Sequence, residues 1–322
     1  MIKRTLYFGN NAYLHTKDEQ LLIDFADKNK EQSTVPIEDI GVVILDSYQL
    51  TISQNLISKL LDNNVALITY NNKRMPQGLM LNLSGNSIQQ ERFNYQIQAS
   101  LPLKKQLWQQ TIKAKIANQR ALLLNLNSEG FAQSEGFAQS ETLAQKLENM
   151  EYWKNSVRSG DPDNYEARAA AFYWKTIFNE FEPDFTRGRY ETAPNNLLNH
   201  AYAILRAITA RSLVASGLLP TLGIHHHNKY NAYALADDIM EPYRPFVDEV
   251  VYNIVQKYYD ENKLEQNYEL TTELKAELLI IPVIDVVIDN EKSPLMIAMQ
   301  RTSASLFYCF EGSSKKILYP VM

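Results

Sequence analysis

Short apolar runs broken by turn signals fill the first 85 residues. Arg4-Thr5-Leu6-Tyr7-Phe8 stops at Gly9-Asn10-Asn11, and Tyr13-Leu14-His15 and Leu21-Leu22-Ile23 flank the charged turn Lys17-Asp18-Glu19. Residues 40–45 and 65–70 are β-branched, bounded runs of the kind that form buried strands. Between them Leu56, Ile57, Leu60 and Leu61 fall at helical spacing, with Asp62-Asn63-Asn64 as a stop. This pattern predicts a small sheet domain with one crossover helix. From about Gln89 the apolar period changes to 3.6, and helices are expected over 98–126, 141–157, 163–180, 194–217, 232–258 and 271–280. The turn-rich stretch Leu83-Ser84-Gly85-Asn86-Ser87 marks the change. The expected fold class is α+β: a β-rich N-terminal domain over 1–85, a linker over 86–98, and a larger all-α domain over 99–322.

One segment departs from both periods. Residues 128–133 read Ser-Glu-Gly-Phe-Ala-Gln, 134–139 repeat them, and 140–145 read Ser-Glu-Thr-Leu-Ala-Gln. Six residues is too short for a solenoid unit, and glycine in a helical pattern costs about 1 kcal/mol. The hexapeptide repeat at 128–145 therefore reads as a duplication within a connection between helices.

A chain of 322 residues, 45% hydrophobic, can bury a core without staples. The single cysteine, Cys309, excludes an internal disulfide and a Cys-based zinc site. The N-terminus lacks the apolar run of a signal peptide, and no stretch reaches the ~20 apolar residues of a membrane span. A cytoplasmic protein with no membrane partner is expected. No P-loop and no Gly-rich dinucleotide fingerprint occur.

Two segments carry candidate chemistry. Residues 223–245 include His225, His226 and His227, followed by Asp237, Asp238 and Glu241. Consecutive histidines cannot all converge on one metal from a regular element, so one pointing inward is the more plausible arrangement. On a helix the acids share a face and repel, which either a bound cation or the nearby Arg244 would offset. The second segment is 158–174, where Asp161-Pro162 is a helix-start signal that puts Glu166 in the second turn, beside small alanines. Carboxylates combined with a neutral imidazole form a hard ligand set suited to Mg²⁺ or Mn²⁺.

These residues bring out a resemblance. The runs Ile40-Gly41-Val42-Val43-Ile44-Leu45-Asp46, Asn71-Asn72-Lys73-Arg74-Met75-Pro76-Gln77-Gly78-Leu79, Lys115-Ile116-Ala117-Asn118-Gln119, Glu166-Ala167-Arg168-Ala169-Ala170, Asn196-Leu197-Leu198-Asn199-His200-Ala201-Tyr202, Asp237-Asp238-Ile239-Met240-Glu241-Pro242-Tyr243-Arg244 and Arg301-Thr302-Ser303-Ala304-Ser305-Leu306 follow one another in order along the chain. Together they resemble the CRISPR spacer-acquisition integrases, in the form that accompanies type II systems. The resemblance implies a metal site of Glu166, His226 and Glu241, with His225 the alternative to His226. It also implies supporting roles for Asp238 and Arg244. The implied reaction is attack by the 3′-hydroxyl of a short duplex on a phosphodiester at a CRISPR repeat boundary. Implied partners are double-stranded DNA, a second copy of the chain in a homodimer, a small ferredoxin-like adaptation protein bridging two dimers, and the type II effector nuclease. A general metal-dependent nuclease and a catalytically silent DNA-binding subunit are the rival readings.

The net charge of −5 at first argues against a nucleic-acid partner. Its distribution removes the objection. Residues 73–120 hold eight basic side chains against one acid, whereas 248–291 hold eleven acids against three lysines. By charge alone Lys73, Arg74, Arg92, Lys104, Lys105, Lys113, Lys115 and Arg120 read equally as a solvated helix face; the resemblance makes several of them candidate contacts to DNA phosphates.

Overall fold

The computed structural model describes residues 3–27, 29–71, 76–130, 137–188, 193–260 and 270–322. The N-terminal runs become strands β1 (Arg4–Phe8), β2 (Ala12–Lys17), β3 (Gln20–Phe25) and β5 (Ile40–Leu45), joined by β4 (Ser33–Pro36) and the short β6 (Thr51–Ile52), which the pattern did not mark. Helix α1 (Gln54–Asp62), β7 (Ala66–Tyr70) and β8 (Pro76–Met80) follow. One four-stranded sheet has the order β1-β5-β7-β8, parallel except for β8. The other has the order β4-β3-β2-β6, antiparallel except for β6.

The first sheet is covered on both faces, which is why its central strands read as unbroken apolar runs. Val42, Ile44, Ala66 and Ile68 point into the core of the helical half. Their neighbours Ile40, Val43, Val65 and Leu67 pack with Leu56 and Leu60 of α1. The crossover helix opens where the Ser53 hydroxyl accepts the Leu56 N–H, and Asn64 at positive φ turns the chain into β7.

The rest is mostly helical, so the α+β class read from the pattern holds. The helices are α2 (Gln89–Gln98), α3 (Leu101–Gly130), α4 (Phe137–Ser156), α5 (Tyr165–Ile177), α6 (Asn195–Ala215), α7 (Ala234–Met240), α8 (Arg244–Asp260), α9 (Thr272–Glu277) and α10 (Leu295–Glu311). Four features differ from the sequence pattern. The segment 86–98 is mostly the polar helix α2, held by the Gln96 amide, which donates to the Leu219 and Leu222 carbonyls. The single helix expected over 232–258 breaks into α7 and α8 at a 3₁₀ turn, Glu241–Tyr243, because Pro242 has no N–H to continue the ladder. A hairpin of β9 (Asp285–Ile288) and β10 (Glu291–Pro294) interrupts the helical half, its turn made by Asp289 and Asn290 at positive φ. Finally, α10 is apolar nearly all round and buried, so it carries no amphipathic stripe to read.

The hexapeptide repeat covers the end of α3 and the start of α4; the connection 131–136 between them lies outside the described residues. No helix among the described residues is long and apolar enough to cross a membrane.

Candidate active site

The first acid is placed by an unusual helix start. Asp161 and Asn164 both adopt positive φ, Pro162 lies in the turn between them, and α5 begins only at Tyr165. Asp161 still caps the helix, accepting the N–H groups of Tyr165 at 3.0 Å and Glu166 at 2.9 Å. Glu166 therefore stands in the first turn, not the second, with its backbone clamped by a carboxylate.

The second acid comes from the 3₁₀ turn after α7. The buried Glu241 carboxylate meets Arg244 Nε at 2.9 Å and Lys115 Nζ at 2.7 Å. The same Nζ donates to Glu166 Oε1 at 2.7 Å, so one ammonium spans both acids. Burial works to raise the Glu241 carboxyl, but Arg244 and Lys115 overcome it and bring it down to about 2. Burial works to lower the Lys115 ammonium; Glu241 and Glu166 reverse that and hold it above the ordinary lysine value.

The imidazole is placed by a loop wound around one carboxylate. Asp238, fully buried on α7, accepts the backbone N–H groups of Ile224 at 2.7 Å, His225 at 2.9 Å and His226 at 3.2 Å. It also takes the His226 ring at Nδ1, 2.5 Å away. With Nδ1 donating, Nε2 is left with the free lone pair. The hydrogen bond to Asp238 raises the His226 pKa, and the charges of Glu241 and Glu166 add to that, so the ring lies in the field of both acids. The loop has no room for a side chain at Gly223, where a Cβ would stand 2.5 Å from the His226 carbonyl oxygen and 2.8 Å from Asp238 Oδ2. His225 instead stacks flat on Trp108, centroids 4.1 Å apart, and His227 is exposed.

Asp237 leaves the site, turning to Arg206 at 2.7 Å and Asn231 at 2.8 Å, so the acids of this segment do not share one face. Charge pairing is present at the acids of this segment and reaches further than Arg244. Arg244 does pair with Glu241, and a second cation, Lys115, joins Glu241 to Glu166. Among the described residues no three His, Cys, Asp or Glu side chains are arranged to hold an ion as they stand.

Behind the pair lies a buried support. The Arg244 guanidinium sits over the Tyr202 ring at 4.3 Å, and Tyr202 and Tyr173 donate to Asp248 at 2.5 and 2.8 Å. Burial pushes the Asp248 carboxyl up to about 6, against those two hydrogen bonds. From its ordinary 3.8 up to that value, the folded chain keeps a proton that the unfolded chain has released. The contribution of this group to stability therefore falls as pH rises through that window. In Asp248→Asn it is absent, so the melting temperature of the variant relative to the parent is expected to rise from about pH 4 to about pH 7. A relative melting temperature that falls across that range would contradict the assignment.

The basic residues scatter. Lys73 and Arg74 lie outside the described residues. Arg92 is committed to the Ser216 carbonyl and the Phe307 ring, and Arg120 Nε donates to the Leu147 carbonyl. On α3, Lys105 is exposed and Lys104 and Lys113 are half-buried. Of the described ones only Lys115 enters the site, where both carboxylates hold it. Its place was written in the helical period: Trp108, Thr111, Lys115 and Asn118 are spaced by three and four residues and are all buried on α3.

A family model described as CRISPR associated protein Cas1 matches residues 6–279. A CRISPR-associated endonuclease Cas1 of Neisseria meningitidis serogroup C (strain 8013) is 35% identical over 279 residues, covering 87% of this chain and 83% of that relative. Among solved structures, a casposase bound to integration product aligns with a TM-score of 0.74 at 18% identity, over 98% of this chain and 92% of its own. A Cas6-RT-Cas1–Cas2 complex aligns with a TM-score of 0.72 at 20% identity, over 98% of this chain and 36% of the matched chain.

Proposed function

The chain belongs to the CRISPR-associated Cas1 family, and from that membership we propose that it is a metal-dependent integrase that inserts short foreign DNA fragments into a CRISPR array. The observation that carries this reading is that one ammonium, Lys115 Nζ, lies 2.7 Å from both Glu166 and Glu241, with the Asp238-anchored His226 ring in the field of the two acids. Two carboxylates and an imidazole with Nε2 free form the donor set of Mg²⁺ or Mn²⁺, and a place already held by an ammonium is one that accepts positive charge. When bound, such an ion supplies Lewis-acid stabilisation of charge on a phosphodiester.

In the proposed reaction the 3′-oxygen of the incoming strand forms a bond to phosphorus at the repeat boundary. The phosphorus–oxygen bond to the neighbouring target nucleotide breaks. The attacking hydroxyl loses its proton and the leaving oxygen gains one, so one phosphodiester replaces another and no ATP is consumed. Arg244 fixes the rotamer of Glu241, and Asp238 fixes the His226 ring; these positions hold the site before DNA arrives. The integration product bound by the casposase supports joining, and the Neisseria relative, an endonuclease, supports cleavage. The Cas1–Cas2 complex among the neighbours supports a second Cas protein as partner; that it is a small ferredoxin-like adaptation protein bridging homodimers is what the resemblance implies.

The test is incubation of the protein and its small partner with a prespacer duplex and a supercoiled plasmid bearing the repeat. Covalent joining is expected, and nicking without joining would leave only the nuclease reading. Asp238→Asn keeps the shape but disturbs four hydrogen bonds on the histidine loop. A loss of roughly 10–100-fold in joining is expected, the usual cost of removing a partner behind a ligand. Undiminished joining by the folded variant would exclude that role.

A further inference from the structure

We propose that Lys115 is the resident counter-ion of the carboxylate pair, and that a divalent cation enters the site by displacing its ammonium from between Glu166 and Glu241. The inference rests on the reading of that pair as the metal site and adds how the site is occupied before the metal arrives. Lys115 Nζ lies 2.7 Å from each carboxylate, and its side chain is 10% exposed. Arg244 approaches Glu241 through the other oxygen, Oε1, so Lys115 is the one cation among the described residues that binds both acids. Left alone, two carboxylates this close would repel and spread apart. The ammonium keeps them convergent.

An ion bound by both carboxylates at the ~2.0–2.1 Å of Mg²⁺ coordination would need the space that Nζ fills. Charge gives the same answer. Two carboxylates with Lys115 and Arg244 are already neutral, so a divalent ion added to the set would leave two uncompensated positive charges. The lysine is built to yield: its charge rides on a flexible four-carbon stem. The backbone of α3 meanwhile stays pinned two turns earlier by Trp108 against His225. Three residues later Asn118 pins it again, donating to the Pro242 and Pro320 carbonyls. Once displaced, the ammonium is free to pair with an incoming phosphate.

The wild-type chain can be probed with an amine-reactive reagent, reading each lysine by peptide mass spectrometry with and without saturating Mn²⁺. Labelling of Lys115 is expected to be slow without metal and to rise about tenfold or more with it, while the exposed Lys105 stays constant as the internal control. In Glu166→Gln the metal-dependent rise should vanish. In parallel, Lys115→Met is expected to bind Mn²⁺ about tenfold or more tightly by calorimetry, because no ammonium competes. If Glu166→Gln weakens Mn²⁺ binding but Lys115 labelling is indifferent to Mn²⁺, the displacement is wrong and the metal site stands. If Glu166→Gln and Glu241→Gln both bind Mn²⁺ as the parent does, the metal site itself is wrong and the displacement falls with it.

Discussion

Alanine at Glu241 is expected to abolish DNA joining, with a loss beyond the roughly 100-fold that marks the upper range for partners standing behind a ligand. The residue is buried, its carboxyl is held ionised at any working pH by Arg244 and Lys115, and no neighbouring acid can replace it: Asp237 is engaged by Arg206, and Asp238 is spent on the histidine loop. The variant also frees two cations at once. Lys115 retains Glu166, and Arg244 retains the face of Tyr202, so the fold should survive. Glu241→Gln separates charge from shape, keeping the volume while removing the anion. Both variants should lose Mn²⁺-dependent joining while near-ultraviolet circular dichroism stays that of the parent. Full activity in either folded variant would remove Glu241 from the chemistry.

How far the sequence reached depends on which physical signal each part carries. The strands at 40–45 and 65–70 were legible because a sheet buried on both faces needs apolar residues at every position. Glu166, His226 and Glu241 came from a resemblance; spacing alone left the segment 223–245 divided between a metal and charge pairing. Lys115 was counted with the DNA-facing lysines because net charge along a stretch says nothing about direction. The helical period of α3 did carry that direction, since Trp108, Ile112, Lys115 and Ile116 share its buried side. The turn that delays α5 to Tyr165 was not legible. Asp161-Pro162 is a helix-start signal, and the positive φ of Asp161 and Asn164, which residue type alone does not announce, overrides it. The break at Pro242 was legible in principle, because a proline seven or more residues into a helix removes a hydrogen bond wherever it falls.

Replacing Lys275 with methionine is expected to cost about 3–5 kcal/mol of stability, the range for leaving one member of a buried ion pair without its partner. Lys275 on α9 and Asp46, just after β5, are each about 1% exposed and meet at 2.5 Å, across the joint between the first sheet and the helices. Tyr7 donates to the same Asp46 oxygen at 2.6 Å, and the ammonium also lies over the Tyr70 ring at 5.3 Å. Asp46 Oδ1 has no hydrogen-bond partner among the described residues, so none of them is already bonded there to take over when the ammonium goes. His200, hydrogen-bonded to the Tyr70 hydroxyl, is a poor substitute: its pKa is pushed down to about 3 chiefly by burial, with a smaller push from Lys275, and the burial that disfavours its charge persists when the lysine is gone. Against a typical total of about 5–15 kcal/mol for a domain, that loss is a large part of what holds the sheet to the helices. Urea unfolding should show it as a lower midpoint. The double change Asp46→Leu with Lys275→Met should recover most of the loss, since removing both charges also removes the desolvation penalty. A single variant within about 1 kcal/mol of the parent would mean that water reaches Asp46 in solution and that the joint is held by its apolar face alone.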